Sequence, residues 1–345
     1  MLVSGVLPIL ASLTKRQVMT FKISVLDQSL ARSADESSAA LQETLIMAKW
    51  CEQLGYERFW VSEHHAFPSV AGSVPEVLLA AIGAVTNTIR IGSGGIMLPH
   101  YSAYKVAEAF SMLANLYPDR VDLGVGRAPG ADMATAMALA TDGKPKFERF
   151  PQLVEQLSDY LWNSDAKPIV SPKPPPGLPL WMLGSSPDSA QLAAIRGLPY
   201  NLAAFINPQA DAGLIQYYHQ AFQPSELWPE PYVILTISVF CADTFEQAKA
   251  LQITHDINFF RFITGQTNGG FLTPAEAQLY PISGQLEQFI QSRSRLRAVG
   301  TPQQVKEKVQ AVAAEFVVDE IMAVTNMYYL ENRNLSFELL KQQFD

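Results

Sequence analysis

Glu63-His64-His65 sets a carboxylate and two imidazoles at the end of a short apolar run that begins near Arg58. A histidine has an unperturbed pKa of about 6.5, so proton transfer near neutral pH is the chemistry these residue types suit. Adjacent residues on a strand face opposite sides, which keeps His64 and His65 from gripping one metal ion together. His-x-His, HExxH and CxxC spacings are missing from the chain, so no metal is expected. A blander arrangement stands beside the catalytic one: one imidazole at a strand mouth, the other packed or hydrogen-bonded.

Three more segments join glycine to a polar group. Gly92-Ser93-Gly94-Gly95 places glycines where β-branched residues would favour a strand. A bulge would ask for them, and so would a flat ligand lying closer to the backbone than a Cβ permits. Val125-Gly126-Arg127 ends on a guanidinium suited to an anion or a carbonyl, or to a structural salt bridge. Pro129 stands where a dinucleotide fingerprint would have its third glycine, which argues against a Rossmann unit. Gly184-Ser185-Ser186-Pro187 runs a tight turn into a helix start, where unpaired N–H groups, the helix dipole and two hydroxyls suit a phosphate. Plain capping by Ser186 is the alternative.

These segments need elements to hold them. Strand patterns fall at 21–27, 58–63, 89–98, 120–125, 179–184, 200–206, 232–241 and 320–325, and eight is the number that closes a barrel. Helical periodicity fills the intervals at 43–54, 75–85, 103–116, 150–162, 186–196, 211–222, 245–260 and 302–316, and 337–343 ends the chain. The expected fold is α/β, a (β/α)8 TIM barrel with insertion segments at the C-terminal face. Two stretches interrupt the rhythm: proline-rich 168–179, and polar, weakly periodic 265–297. The second is expected to be a lid over the site; a surface excursion or a dimer contact is the alternative.

Composition bounds the function. The chain has 345 residues, 48% of them apolar and 17% charged, which excludes intrinsic disorder. A net charge of −8 excludes nucleic-acid binding by bulk electrostatics. Cys51 and Cys241 sit far apart in apolar stretches, as two reduced thiols in the cytoplasm would. No run of about 18 apolar residues offers a membrane span. Residues 1–20 read as an N-terminal extension outside the fold, because Met19 directly precedes the first strand pattern, and 21–345 read as a single domain.

Taken together, Glu63-His64-His65, the strand Gly92-Ser93-Gly94-Gly95-Ile96-Met97-Leu98-Pro99, Val125-Gly126-Arg127 and the turn Gly184-Ser185-Ser186-Pro187, in this order and spacing, resemble the bacterial-luciferase-like flavin-dependent monooxygenases. The likeness runs from Phe21 to the C-terminus, and Leu26-Asp27-Gln28-Ser29 is similar to the single-chain, non-luminous branch. The resemblance implies a homodimeric barrel that takes reduced FMN from a separate NAD(P)H-dependent flavin reductase. Dioxygen would add at the flavin C4a, and the peroxide would oxygenate a small organic substrate. It implies His64 as the catalytic residue, and Ser93, Gly94, Gly95, Arg127, Arg149, Gly184, Ser185 and Ser186 as cofactor-binding residues, with a cis bond joining Gly94 to Gly95. Gly126 stands where luciferases carry a reactive cysteine, so light emission from an aldehyde is not expected. Two other readings stay open: a deazaflavin-dependent hydride-transfer oxidoreductase on the same barrel, and a flavin-binding protein without catalysis.

Overall fold

Short β-branched runs alternating with helical stretches close into a ring in a computed structural model, which describes residues 21–140, 142–266 and 270–344. The proposed extension at 1–20 lies outside the described residues. The strands are β1 Lys22–Asp27, β2 Arg58–Val61, β3 Arg90–Ser93, β4 Ile96–Met97, β5 Val121–Gly126, β6 Leu180–Gly184, β7 Tyr200–Ala203, β8 Val233–Cys241, β9 Arg297–Gly300 and β10 Glu320–Val324. Every pairing between them is parallel. The order β10-β1-β2-β3-β5-β6-β7-β8 returns to its start through β8–β10, which makes an eight-stranded (β/α)8 barrel.

Helices α1 Ser37–Gln53, α2 Pro75–Val85, α3 Ala103–Leu116, α4 Met133–Leu139, α5 Phe150–Trp162 and α6 Pro187–Ile195 follow the first five barrel positions, α4 and α5 sharing one connection. α7 Ala212–Ala221, α8 Phe245–Ile263, α9 Pro274–Gln278, α10 Gly284–Ser292, α11 Pro302–Phe316 and α12 Leu330–Lys341 complete the shell. Proline opens α2, α6, α9 and α11 inside the first turn, where its missing N–H costs no hydrogen bond.

Successive strand residues serve two cores, as period-two alternation requires. Val25, Phe59, Met182 and Leu235 pack toward the helices, while Leu26, Trp60, Trp181, Ile234 and Met322 fill the barrel. Below that apolar layer, Arg58 donates to Glu320 (Nε–Oε1, 2.8 Å) and Asp122 (Nη1–Oδ2, 2.8 Å), and Arg90 reaches the other Asp122 oxygen at 2.6 Å. Burial opposes ionisation of Asp122, but Arg58 and Arg90 outweigh it and hold the carboxyl below its usual range. This closed ionic layer forms the floor of the barrel, which leaves the opposite, C-terminal rim for chemistry.

Three features depart from the sequence reading. The strand expected at 89–98 breaks at Gly94–Gly95 into β3 and β4. β9 begins at the last residue of the stretch read as an insertion and pairs with Ser238–Cys241 of β8; a four-residue strand opening on a buried arginine carries little strand signal. Within 265–297, the described residues 270–297 are more regular than their polarity suggested, since α9 and α10 pack on α8 around Ile257, Ala277 and Leu286. Its Phe271 N–H donates to Arg32 O after β1 (2.8 Å), and Arg295 donates to Ala210 O after β7.

Candidate active site at the C-terminal rim

Beyond β2, the backbone from Ser62 to His65 leaves the sheet, and three of its N–H groups find carbonyls on different segments: Ser62 on Asp27, His64 on Gly72, His65 on Gly130. The two imidazoles take different partners, although here they lie past the strand rather than alternating on it. His65 Nε2 lies 2.8 Å from Glu63 Oε1, a buried carboxylate that also accepts from Tyr101 Oη (2.7 Å) and from the Met97 N–H (3.0 Å, to Oε2). His64 instead meets the Ser62 hydroxyl through Nδ1 at 3.1 Å. Burial pushes the His64 pKa down to about 4, against the opposing pull of Glu63. The expected titration near neutrality is therefore corrected: at pH 7 this ring is neutral, with one nitrogen engaged by Ser62 and Nε2 without a hydrogen-bond partner among the described residues.

The glycines of the third strand answer to neighbouring side chains and backbone. A Cβ on Gly92 would come within 2.5 Å of Trp60, one on Gly94 within 2.6 Å of Leu26, and one on Gly95 within 2.7 Å of Gly124 O. Gly94–Gly95 is joined by a cis peptide bond. Ser93 is buried, and its hydroxyl donates to Gly124 O (2.9 Å) and accepts the Gly124 N–H (3.0 Å). That hydroxyl is thereby committed to joining β3 to β5, so Ser93 has chiefly its backbone to offer a ligand.

Arg127 follows β5 directly and reaches Asp188 in the first turn of α6 at 3.3 Å. Both side chains are mostly exposed, 51% and 74%, so the pair is weak and readily exchanged for a stronger anion. At the same turn, Ser186 and Ser189 close a capping box, Ser186 N–H donating to Ser189 Oγ (3.3 Å) and the Ser186 side chain accepting the Ser189 N–H, so the capping alternative is present, and Ser185 O accepts from Asn207 (3.0 Å). Gly184 must lack a Cβ because Ser189 Oγ would lie 2.2 Å from it. Arg149 stands at the start of α5, exposed and without an ion pair among the described residues. Its approach segment is tied to the rim by Lys146 N–H donating to Pro99 O at 3.1 Å.

Contacts thus connect the strand ends: Glu63 with Met97, His65 with Gly130, Ser93 with Gly124, Arg127 with Asp188. Opposite the phosphate-like turn, partly buried rings continue from His64. Phe67 lies 6.0 Å from its ring, Phe262 meets Phe67 edge-on at 4.9 Å, and Phe259 stacks near Phe262 at 6.3 Å and His255 at 5.9 Å. The sequence reading passed over Ser62, Tyr101 and Phe259. Only the i, i+3 spacing of Phe259 and Phe262 on α8 could have marked the ring wall beforehand.

The profile of the luciferase-like monooxygenases matches residues 19–320. The N-acetyl-S-alkylcysteine monooxygenase of Bacillus subtilis is 33% identical over 92% of this chain and 97% of its own. The crystal structure of apo-MsnO8 superposes with a TM-score of 0.88 at 36% identity, covering 94% of this chain and 98% of that one. Two more distant structures share the fold alone. One is the oxygenating constituent of 3,6-diketocamphane monooxygenase from Pseudomonas putida with FMN (17% identity, TM-score 0.68, 94% and 98% covered). The other is an F420-dependent secondary alcohol dehydrogenase (15%, 0.61, 95% and 100%).

Proposed function

The chain belongs to the luciferase-like monooxygenase family, and from that premise we propose that it is a monooxygenase using reduced FMN and dioxygen to oxygenate a small organic substrate, with His64 catalytic. The observation that supports this reading is the run of contacts along one rim, from Glu63 to Met97, His65 to Gly130 and Arg127 to Asp188.

The rim fits a flavin phosphate. Ser185 and Ser186 stand at the positive end of α6, and Arg127 and Arg149 supply two cations held by no strong partner. FMN, when bound, supplies the electrons that activate dioxygen. Arg127, Arg149 and the serine hydroxyls bind and orient its phosphate. His64 stays neutral through burial and takes or gives a proton at Nε2, with Ser62 fixing the ring through Nδ1. Phe67, Phe259 and Phe262 exclude water, and the described residues 270–297, bonded to Arg32 at one end and to Ala210 at the other, cover the mouth as a lid.

The reduced flavin comes from a separate NAD(P)H-dependent reductase in this proposal, and a second copy covers the apolar side chains exposed on α1 to α3: Ile46, Val77, Met112 and Leu116. Buried, unpaired Cys51 and Cys241 suit the reducing cytoplasm. Among the described residues, no helix is long and apolar enough to cross a membrane.

The deciding experiment supplies reduced FMN and a reduced 5-deazaflavin in parallel, with ¹⁸O₂ and a panel of small organic compounds. ¹⁸O in a product with FMN alone supports the proposal. Hydride transfer with the deazaflavin alone, or FMN binding without any turnover, overturns it in favour of the reductase or the non-catalytic reading.

A further inference from the structure

Arg293, one residue beyond α10, lies across two phenylalanines, its guanidinium carbon 4.8 Å from the Phe259 centroid and 5.4 Å from that of Phe289. A guanidinium has five N–H donors. Among the described residues only one is used here, Nη2 to Phe205 O at 2.6 Å, and Nε is buried without a partner. The buried arginines Arg58, Arg297 and Arg333 each end on a carboxylate, although Nε of Arg297 and of Arg333 is also without a partner among the described residues, so what sets Arg293 apart is the missing carboxylate. The acid nearest in influence, Asp256, is already taken by both terminal nitrogens of Arg297, at 2.6 and 2.7 Å. Burial and the repulsion of Arg297 lower the Arg293 pKa to about 10, which leaves it charged at pH 7.

A half-buried cation without an ion pair is costly, and a buried donor without an acceptor calls for an explanation. Position supplies one. Phe205 stands two residues past β7, on the rim, and Phe259 continues through Phe262 and Phe67 to His64. The aromatic wall therefore runs between a neutral base and an unneutralised guanidinium. We infer that Arg293 is the substrate-recognition residue for a small organic carboxylate, whose anionic end it holds while the apolar body lies along Phe259 and Phe262 toward His64. The planar fork matches a carboxylate in two parallel hydrogen bonds and supplies the missing acceptor for Nε–H or Nη–H donors. The inference rests on the proposal that this rim is where substrate is oxygenated, and it names the substrate class.

The test is calorimetric titration of the full chain with 4-phenylbutyrate and hexanoate, each against its neutral amide. Hydrogen bonds to a charged partner are worth roughly 10- to 150-fold in affinity, so each carboxylate is expected to bind at least about 10-fold more tightly than its amide. R293M should abolish that preference while leaving amide binding unchanged, and R293K should keep part of it, because a lysine retains charge without the fork. FMN and riboflavin titrations accompany both variants. No preference in the unaltered protein, or a preference that survives R293M, overturns the inference. So does a loss of FMN but not riboflavin affinity, which would make Arg293 a phosphate ligand. If R293M fails to fold, a folded R293K with an undiminished preference overturns it equally. A carboxylate preference without ¹⁸O transfer under FMN would remove the flavin proposal and leave the receptor standing.

Discussion

Replacing Arg127 by alanine and, separately, Asp188 by asparagine should move FMN affinity in opposite directions. Arg127 is about half exposed and already tied to Asp188 at 3.3 Å. A charge-assisted hydrogen bond to phosphate is worth about 1.5–3 kcal/mol, and exposure keeps this one at the low end. Binding phosphate gives up the Asp188 pair, an exposed contact worth about 0–1 kcal/mol. The net loss in R127A is therefore about 1 kcal/mol, or roughly a fivefold weaker FMN. In D188N a carboxylate beside the incoming anion disappears. Two unit charges 4 Å apart in water interact by about 1 kcal/mol, so FMN should bind several-fold more tightly. Riboflavin lacks the phosphate and should respond to neither change. The assay is anaerobic titration with both reduced flavins at low and high salt, and both effects should shrink as salt screens exposed charges. Equal weakening of riboflavin and FMN by R127A, or weaker FMN binding in D188N, would refute the reasoning.

H64N should retain FMN while turnover falls by about 10²- to 10⁴-fold, measured as ¹⁸O incorporation. In the unaltered protein the acidic limb of the rate profile should reflect a group near 4 rather than 6.5, because burial holds the His64 ring neutral. His255, buried beside Phe240 and Phe259, is likewise pushed down to about 4, first by burial. The unfolded chain takes up these protons near pH 6.5 and the folded one only near 4, so between them the unfolded state binds more protons and stability falls on acidification. H255Q should flatten the drop in Tm from pH 6.5 to 4 by the equivalent of about 3 kcal/mol; an unchanged slope would count against the buried neutral ring. G124A should destabilise by roughly 1–3 kcal/mol or more in urea denaturation, since its Cβ would lie 2.1 Å from Ser93 O, whereas G126A, with only Met97 Sδ at 3.9 Å, should be nearly neutral.

The barrel was legible because its signals are local and repeated. Bounds of α2, α3, α5 and α11 coincide with the sequence pattern, each opened or closed by proline, a capping residue or a change of period. The rim residues were legible for a related reason: a residue at the C-terminal end of a barrel strand has little structural work there, so an imidazole, a guanidinium or paired hydroxyls stand out. Sequence was less informative wherever a residue's meaning depends on what it lacks. Ser93 looks like a ligand until its hydroxyl is found between two strands, and His64 looks like a neutral-pH acid–base group until burial is weighed. Arg293 is the sharpest case. In a polar, weakly periodic stretch it is one arginine among three at alternate positions, 293, 295 and 297. Folding separates them by partner: Arg297 takes Asp256, Arg295 takes Glu315, and Arg293 is left on two aromatic faces. The distinction arises from which acids reach which cation in three dimensions, so no spacing rule could carry it. In the proposed function the same logic divides the labour, assigning exposed, weakly paired cations to the cofactor's phosphate and a half-buried cation without an ion pair to the substrate's charge.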